Sequence, residues 1–120
     1  MPRGVLLREM PDGGHEFVLE DPVLRALEVA GGVTLRFGRT DVNVVGRSVL
    51  VVDGVHHCMD PRAPESLGPL LSCFPGSARW LWASPDGELN LVLMQGQRLT
   101  VPGPPQPAAW SIGGPPFRGD

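Results

Sequence analysis

The chain has 120 residues, a formal net charge of −3 and a hydrophobic share of 42%, the profile of one soluble globular domain. Its basic residues are all arginines, scattered singly, so the clustered cations that displace phosphate counterions from nucleic acid are missing. No apolar run reaches membrane-spanning length and MPRGVLLREMPDGG lacks a signal-peptide core, so we expect a cytoplasmic protein with Cys58 and Cys73 reduced rather than bridged.

Residues 1–14 read as a flexible segment or an edge strand through Val5 to Leu7, 15–114 as a single β-rich domain, and 115–120 as a disordered tail. Two stretches share one plan: LRALEVAGGVTLRFGRTDVNV (24–44) and ARWLWASPDGELNLVLMQGQRLTV (78–101). In each, apolar residues alternate with polar ones and Gly, Asp or Pro marks the breaks, the signature of antiparallel strands. Val33, Leu35 and Phe37 of the first correspond to Leu89, Leu91 and Leu93 of the second. The reading is two three-stranded meanders, either a duplicated unit or two meanders alike by their shared strand pattern.

Between them, SVLVV (48–52) and VHHCM (55–59) flank Asp53-Gly54, a pair suited to the positive φ values of a type I′ hairpin turn. That turn sets Val51 opposite His56 and Leu50 opposite His57. DPRAPESLGPLLSCFPG (60–76) then predicts one short helix, with Pro64 and Glu65 in its first turn and Leu67, Leu70 and Leu71 on one face. Gly68-Pro69 keeps it short and Pro75-Gly76 ends it.

SPDG (84–87) is a type I turn sequence. If Ser84 pairs with Glu88, Leu81 and Ala83 join the leucine face while Trp80 and Trp82 join Val92 and Met94. A one-residue slip moves both tryptophans to the leucine face, and the sequence leaves the two registers open. PGPPQPAA (102–109) reads as an extended linker, and AWSIG (109–113) as a short last strand. The fold class expected is α+β: mainly antiparallel β-sheet, bent or closed into a partly open barrel of six to eight strands, with one short helix across it.

This plan, with its particular words, resembles a family of small actinobacterial proteins known only as a domain of unknown function. The matching words between Leu27 and Gly114 are the first meander, Asp53-Gly54, Asp60-Pro61 before the leucines, DGELNLVLMQGQRLTV, and Ala109-Trp110 followed by Gly113-Gly114. Two departures stand out: Pro107-Ala108 replaces an aromatic-acidic pair, and PPFRGD replaces a glycine-rich strand. The resemblance implies the β-rich fold and brings no activity, cofactor or catalytic residue.

His56, His57, Cys58 and Asp60, with Asp53 nearby, look most like chemistry. A zinc site needs four converging ligands, and neighbouring strand residues point to opposite faces, so the paired imidazoles cannot readily grip one ion. The expectation is one histidine in the core, one in solvent and Cys58 as a small buried hydrophobe. No nucleophile elbow, phosphate loop or HExxH helix is present. No cofactor is expected.

Trp80, Trp82 and Trp110 are either core or interface residues; we expect two in the core and one, Trp80 or Trp110, partly at an interface. Arg39 and Asp41, after Gly38, form either a recognition rim or ordinary turn chemistry. Strand surface beyond what one short helix can cover then points to a non-catalytic protein-binding module, its partner another protein or a second copy of itself. By fold-level analogy this is an immunity-type or accessory protein. The alternative is a small metal- or thiol-dependent hydrolase using His56, His57 and Cys58.

Overall fold

The computed structural model describes residues 5–74, 76–103, 109–113 and 117–118. Its strands, in chain order, are β1 (Val5–Glu9), β2 (His15–Leu19), β3 (Val23–Leu24), β4 (Ala26–Val29), β5 (Val33–Phe37), β6 (Thr40–Val44) and β7 (Ser48–Val52). They continue with β8 (Val55–Met59), β9 (Gly76–Ala83), β10 (Leu89–Leu93), β11 (Arg98–Val101), β12 (Trp110–Ile112) and β13 (Phe117–Arg118). Between β8 and β9 a 3₁₀ turn, Pro64–Leu67, runs into a single helical turn, α1 (Gly68–Leu71). Among the described residues no helix is long and apolar enough to cross a membrane.

The mainly antiparallel α+β class holds, but its form differs from the barrel or single bent sheet that we expected. The larger sheet runs β1-β2-β9-β10-β11-β7-β8, with β3 also pairing with β9; the smaller runs β13-β12-β6-β5-β4. Both end in edge strands, so neither closes. The two meanders that look alike in sequence are split between the sheets: β4-β5-β6 belongs to the smaller and β9-β10-β11 to the larger. Local periodicity fixes which residues share a face, not which sheet a strand joins.

The turns decide the registers. Asp53 (φ 51) and Gly54 (φ 78) both adopt positive φ, as a type I′ turn requires, and the hairpin pairs Val51 with His56 and Leu50 with His57. At SPDG, the Ser84 N–H donates to the Glu88 carbonyl at 2.8 Å, and Leu81 pairs with Leu91 and Ala83 with Leu89. This is the register that leaves both tryptophans off the leucine face. The turn is held from the side: Trp110 Nε1–H donates to the Gly87 carbonyl at 2.8 Å, and Gly103 packs so close to Asp86 and Gly87 that a Cβ has no room there.

One core lies between the inward faces. Phe17, Leu50, Leu81, Leu89, Leu91, Leu93, Leu99 and Val101 from the larger sheet meet Val33, Leu35, Phe37, Val42, Val44 and Ile112 from the smaller. Leu67 and Leu70 close one end, with Cys73 behind them. Leu71, expected on the same face, is 49% exposed, because one helical turn cannot carry a third leucine inward.

The smaller sheet turns a polar face outward. Thr34 Oγ1–H donates to Asn43 Oδ1 at 2.8 Å, Asn43 Nδ2–H to Ser111 Oγ at 3.4 Å, and Arg36 lies 2.7 Å from Glu28 and 3.9 Å from Asp41. These groups satisfy one another across four strands.

At the termini, the first four residues of the expected flexible segment lie outside the described residues, while Val5–Glu9 pairs with β2 as an edge strand. Most of the proline linker, 104–108, also lies outside them, as do 114–116 and 119–120 of the expected tail. Phe117–Arg118, expected to be disordered with that tail, instead pair with β12.

Leu91, at 1% exposure, sits at the centre of the core. Leu91→Ala is expected to cost about 2–5 kcal/mol, read as a lower urea midpoint with an unchanged slope.

Candidate functional site on the outer face of the larger sheet

Opposed residues of an antiparallel ladder share a face, so the pairings give the outer surface of the larger sheet directly. One row across it is Arg8, Glu16, Trp82, Asn90, Thr100, Val49 and Cys58. The next is Trp80, Val92, Arg98, Val51 and His56.

A bulge in β9 shapes the middle of this face. Trp80 pairs with Val92 but the next pair is Ala78 with Leu93, so Arg79 is one residue too many. An extra residue lets two neighbours turn the same way. Arg79 and Trp80 both go outward, while Ala78 and Leu81 on either side are buried. In unbroken alternation Ala78 would follow Trp80 into solvent.

The two tryptophans stack, ring centroids 4.2 Å apart and planes tilted by 32°. The Arg98 guanidinium carbon lies 5.5 Å from the centre of the Trp82 ring, a cation–π contact. Beneath them Asn90, only 1% exposed, ties the patch down. Its Oδ1 accepts from Arg98 Nη2–H at 3.2 Å and Thr100 Oγ1–H at 3.4 Å, and its Nδ2–H reaches Ser84 Oγ at 3.3 Å and the Glu88 carbonyl at 3.4 Å. Trp80 is left 43% exposed, and Val18 and Leu6 are exposed further along the face.

Beside Trp80 the sheet opens. β2 pairs with β9 at His15–Ala83 and Glu16–Trp82, and β3 takes over at Val23–Ser77. In the interval a cleft of about 130 Å³ is lined by Phe17, Val18, Leu19, Pro22, Arg79 and Trp80, with Glu16, paired to Arg8 at 3.7 Å, also on its wall.

The other expected partner residues lie elsewhere. Trp110 is in the core, 4% exposed and edge-on to Phe17 at 6.1 Å, so it offers the outer face no surface. Arg39 is exposed and Asp41 half-buried at the β5–β6 turn of the smaller sheet, where Asp41 is tied to Arg36. The structure therefore brings Trp80 and Trp82 together and leaves Trp110, Arg39 and Asp41 apart from them. Sequence reading missed Arg79, Asn90 and Arg98. The signal for Asn90 and Arg98 was their place opposite Trp82 and Val92 in the register, while the bulge that exposes Arg79 has no local sequence mark.

The histidine hairpin does not assemble a centre. His56 is exposed on the outer face, and His57, opposite buried Leu50, is half-buried on the inner one. Cys58 is exposed rather than buried, because it pairs with Val49 on the outer face, whereas the next residue of the same strand, Met59, faces the core and is buried. Asp60 turns away: its carboxylate accepts from the Arg62 N–H at 2.9 Å and from the Arg62 and Arg47 guanidinia at 3.4 Å. Among the described residues no three His, Cys, Asp or Glu side chains gather as a metal site would need.

The Arg62 backbone N–H, then its guanidinium, hold the Asp60 carboxyl below the usual carboxylate value. Asp21 is lowered in the same way by the Val23 N–H and by Arg25. Burial pushes the Cys73 thiol up.

Over residues 16–117 the chain matches the model of a family of unknown function, DUF6188, and it belongs to that family. The match begins at β2, eleven residues before Leu27 where the sequence resemblance starts. No curated protein and no solved structure matches the chain.

Two outcomes follow. Folded protein should yield one fast-reacting thiol with a disulfide reagent, Cys58, and a second, Cys73, only after denaturation. A carboxyl lowered on folding adds stability that is complete above its unfolded value and lost as pH falls through the folded one. Acid unfolding of Asp60→Asn, followed by circular dichroism, should therefore show a shallower pH dependence below the usual carboxylate range than the parent.

Proposed function

For this member of the DUF6188 family we propose a non-catalytic protein-binding module that engages its partner through the outer face of the larger sheet. One contrast carries the reading: the smaller sheet's outer face is polar and internally hydrogen-bonded, whereas the larger sheet presents stacked Trp80 and Trp82 with Val18 and Leu6 exposed. Tryptophan and arginine at the centre of an otherwise near-neutral surface are the usual composition of an interface hot spot. Contiguous exposed apolar surface of this kind is uncommon on a monomer without a binding role.

In its most concrete form the module is an immunity-type or accessory protein, one that neutralises or supports a specific protein; small size, acidity and a β-rich fold support this by analogy. The metal form of the hydrolase alternative has little support, since His56 and His57 sit on opposite faces and Asp60 is engaged by arginines.

The test is mass-resolved size determination of protein purified gently from its native cells. The parent should co-elute with a second protein in fixed stoichiometry, and Trp80→Ala or Trp82→Ala should reduce that complex by at least about tenfold. Arg36→Ser on the polar face should leave it intact. A parent that runs as a clean monomer, or a complex that survives the tryptophan changes, overturns the reading.

A further inference from the structure

Five of the arginines among the described residues, Arg8, Arg25, Arg36, Arg47 and Arg62, sit in ion pairs with carboxylates. Arg39, Arg79 and Arg98 have no such ion pair among the described residues, and of these Arg79 and Arg98 flank the stacked tryptophans. With Glu16 on the same face paired to Arg8 at 3.7 Å, these two set positive charge beside the tryptophans of a chain that carries −3 overall. Arg79 is turned outward by the β9 bulge at the mouth of the cleft; Arg98 is held over Trp82 by Asn90. Each is an exposed cation next to apolar surface, and Arg98 is also held in place by Asn90 and Trp82.

From this we infer that the partner proposed above presents an acidic segment to this face, with carboxylates meeting Arg79 and Arg98 and an apolar side chain entering the cleft beside Trp80. The inference rests on the binding-face reading and adds the chemistry of the occupant. Charge complementarity selects it over the alternatives. A second copy docked face to face would bring two further arginines to the same surface, with only Glu16, already paired to Arg8, as a carboxylate on the cleft wall to meet them. Nucleic acid would find aromatic platforms but only two cations free of carboxylates here, against the several phosphate contacts that sustain such binding. An acidic protein segment with an apolar side chain satisfies both the guanidinia and the exposed Trp80 at the cleft. Arginine suits the task, since its planar fork pairs with a carboxylate in bidentate fashion and stacks on indole at the same time.

The experiment titrates isotope-labelled full-length protein with three probes: a short peptide alternating glutamate and leucine, its lysine-for-glutamate counterpart, and oligothymidylate. The acidic peptide should shift the indole N–H signals of Trp80 and Trp82 but not that of Trp110, with affinity falling as salt is raised. Arg79→Ser and Arg98→Ser should each weaken it about fivefold, and Arg79→Glu more. Arg39→Ser, on the other sheet, should change nothing.

If the lysine peptide or the oligonucleotide moves the same indole signals as strongly, the acidic-partner inference falls while the binding face stands. If the acidic peptide moves none, or moves them equally in Arg79→Glu, the inference also falls. The co-elution test then judges the face independently of it.

Discussion

Along β9 the pairing with β10 loses step once, between Val92 and Leu93, and that loss decides how the strand continues past the tryptophans. A strand with strict period two cannot bury both Ala78 and Leu81, which lie an odd number of residues apart. The extra residue at Arg79 permits it, and in doing so sets a cation outward beside Trp80, which the SPDG register already turns out. Core packing below and surface chemistry above are thus two results of one backbone irregularity. Bulges tend to occur where a strand must re-aim a side chain, and this one sits at the point where β2 stops pairing with β9 and the cleft opens.

The second support is Asn90. A buried amide on the outer surface of a sheet must find partners or destabilise the fold, and here its donors and acceptor are used by Ser84, Glu88, Arg98 and Thr100. The network links the SPDG turn to β11 and fixes the arginine against Trp82. Side chains locked in this way lose less freedom when something binds them, which is how rigid aromatic and guanidinium groups come to carry a large share of binding energy.

Much of the local architecture was legible in the residues. Alternation at Val33, Leu35 and Phe37 and at Leu89, Leu91 and Leu93 marked the meanders, and Asp53-Gly54 fixed the hairpin register because few dipeptides adopt two positive φ values. The divergence of His56 and His57 followed from that register alone. Other features depended on distant partners. β2 and β3 are short and interrupted by Asp21-Pro22, so HEFVL and VL carry little periodic signal. The division into two sheets turns on pairings such as Leu50 with Leu99 and Val44 with Trp110, between segments far apart in the chain. Cys58 looked like a core residue by type; its place on the outward face of β8 exposes it, while Met59 next to it is buried. Trp80, Trp82 and Trp110 are chemically equivalent as read, and what separates them is the register set at SPDG, which faces the first two outward, and the inward face of β12, which buries the third.

That hydrogen bond, from the Trp110 indole to the Gly87 carbonyl, reaches across from one sheet to the other. Trp110 belongs to β12 of the smaller sheet, while Gly87 closes the turn between β9 and β10 of the larger. The indole therefore works as a tie: peeling β12 away would strip the β9–β10 turn of this bond and leave the hairpin to its own ladders with β2 and β11. With the shared core between the inward faces, it fastens the two sheets of this molecule to each other at the end where the turn lies.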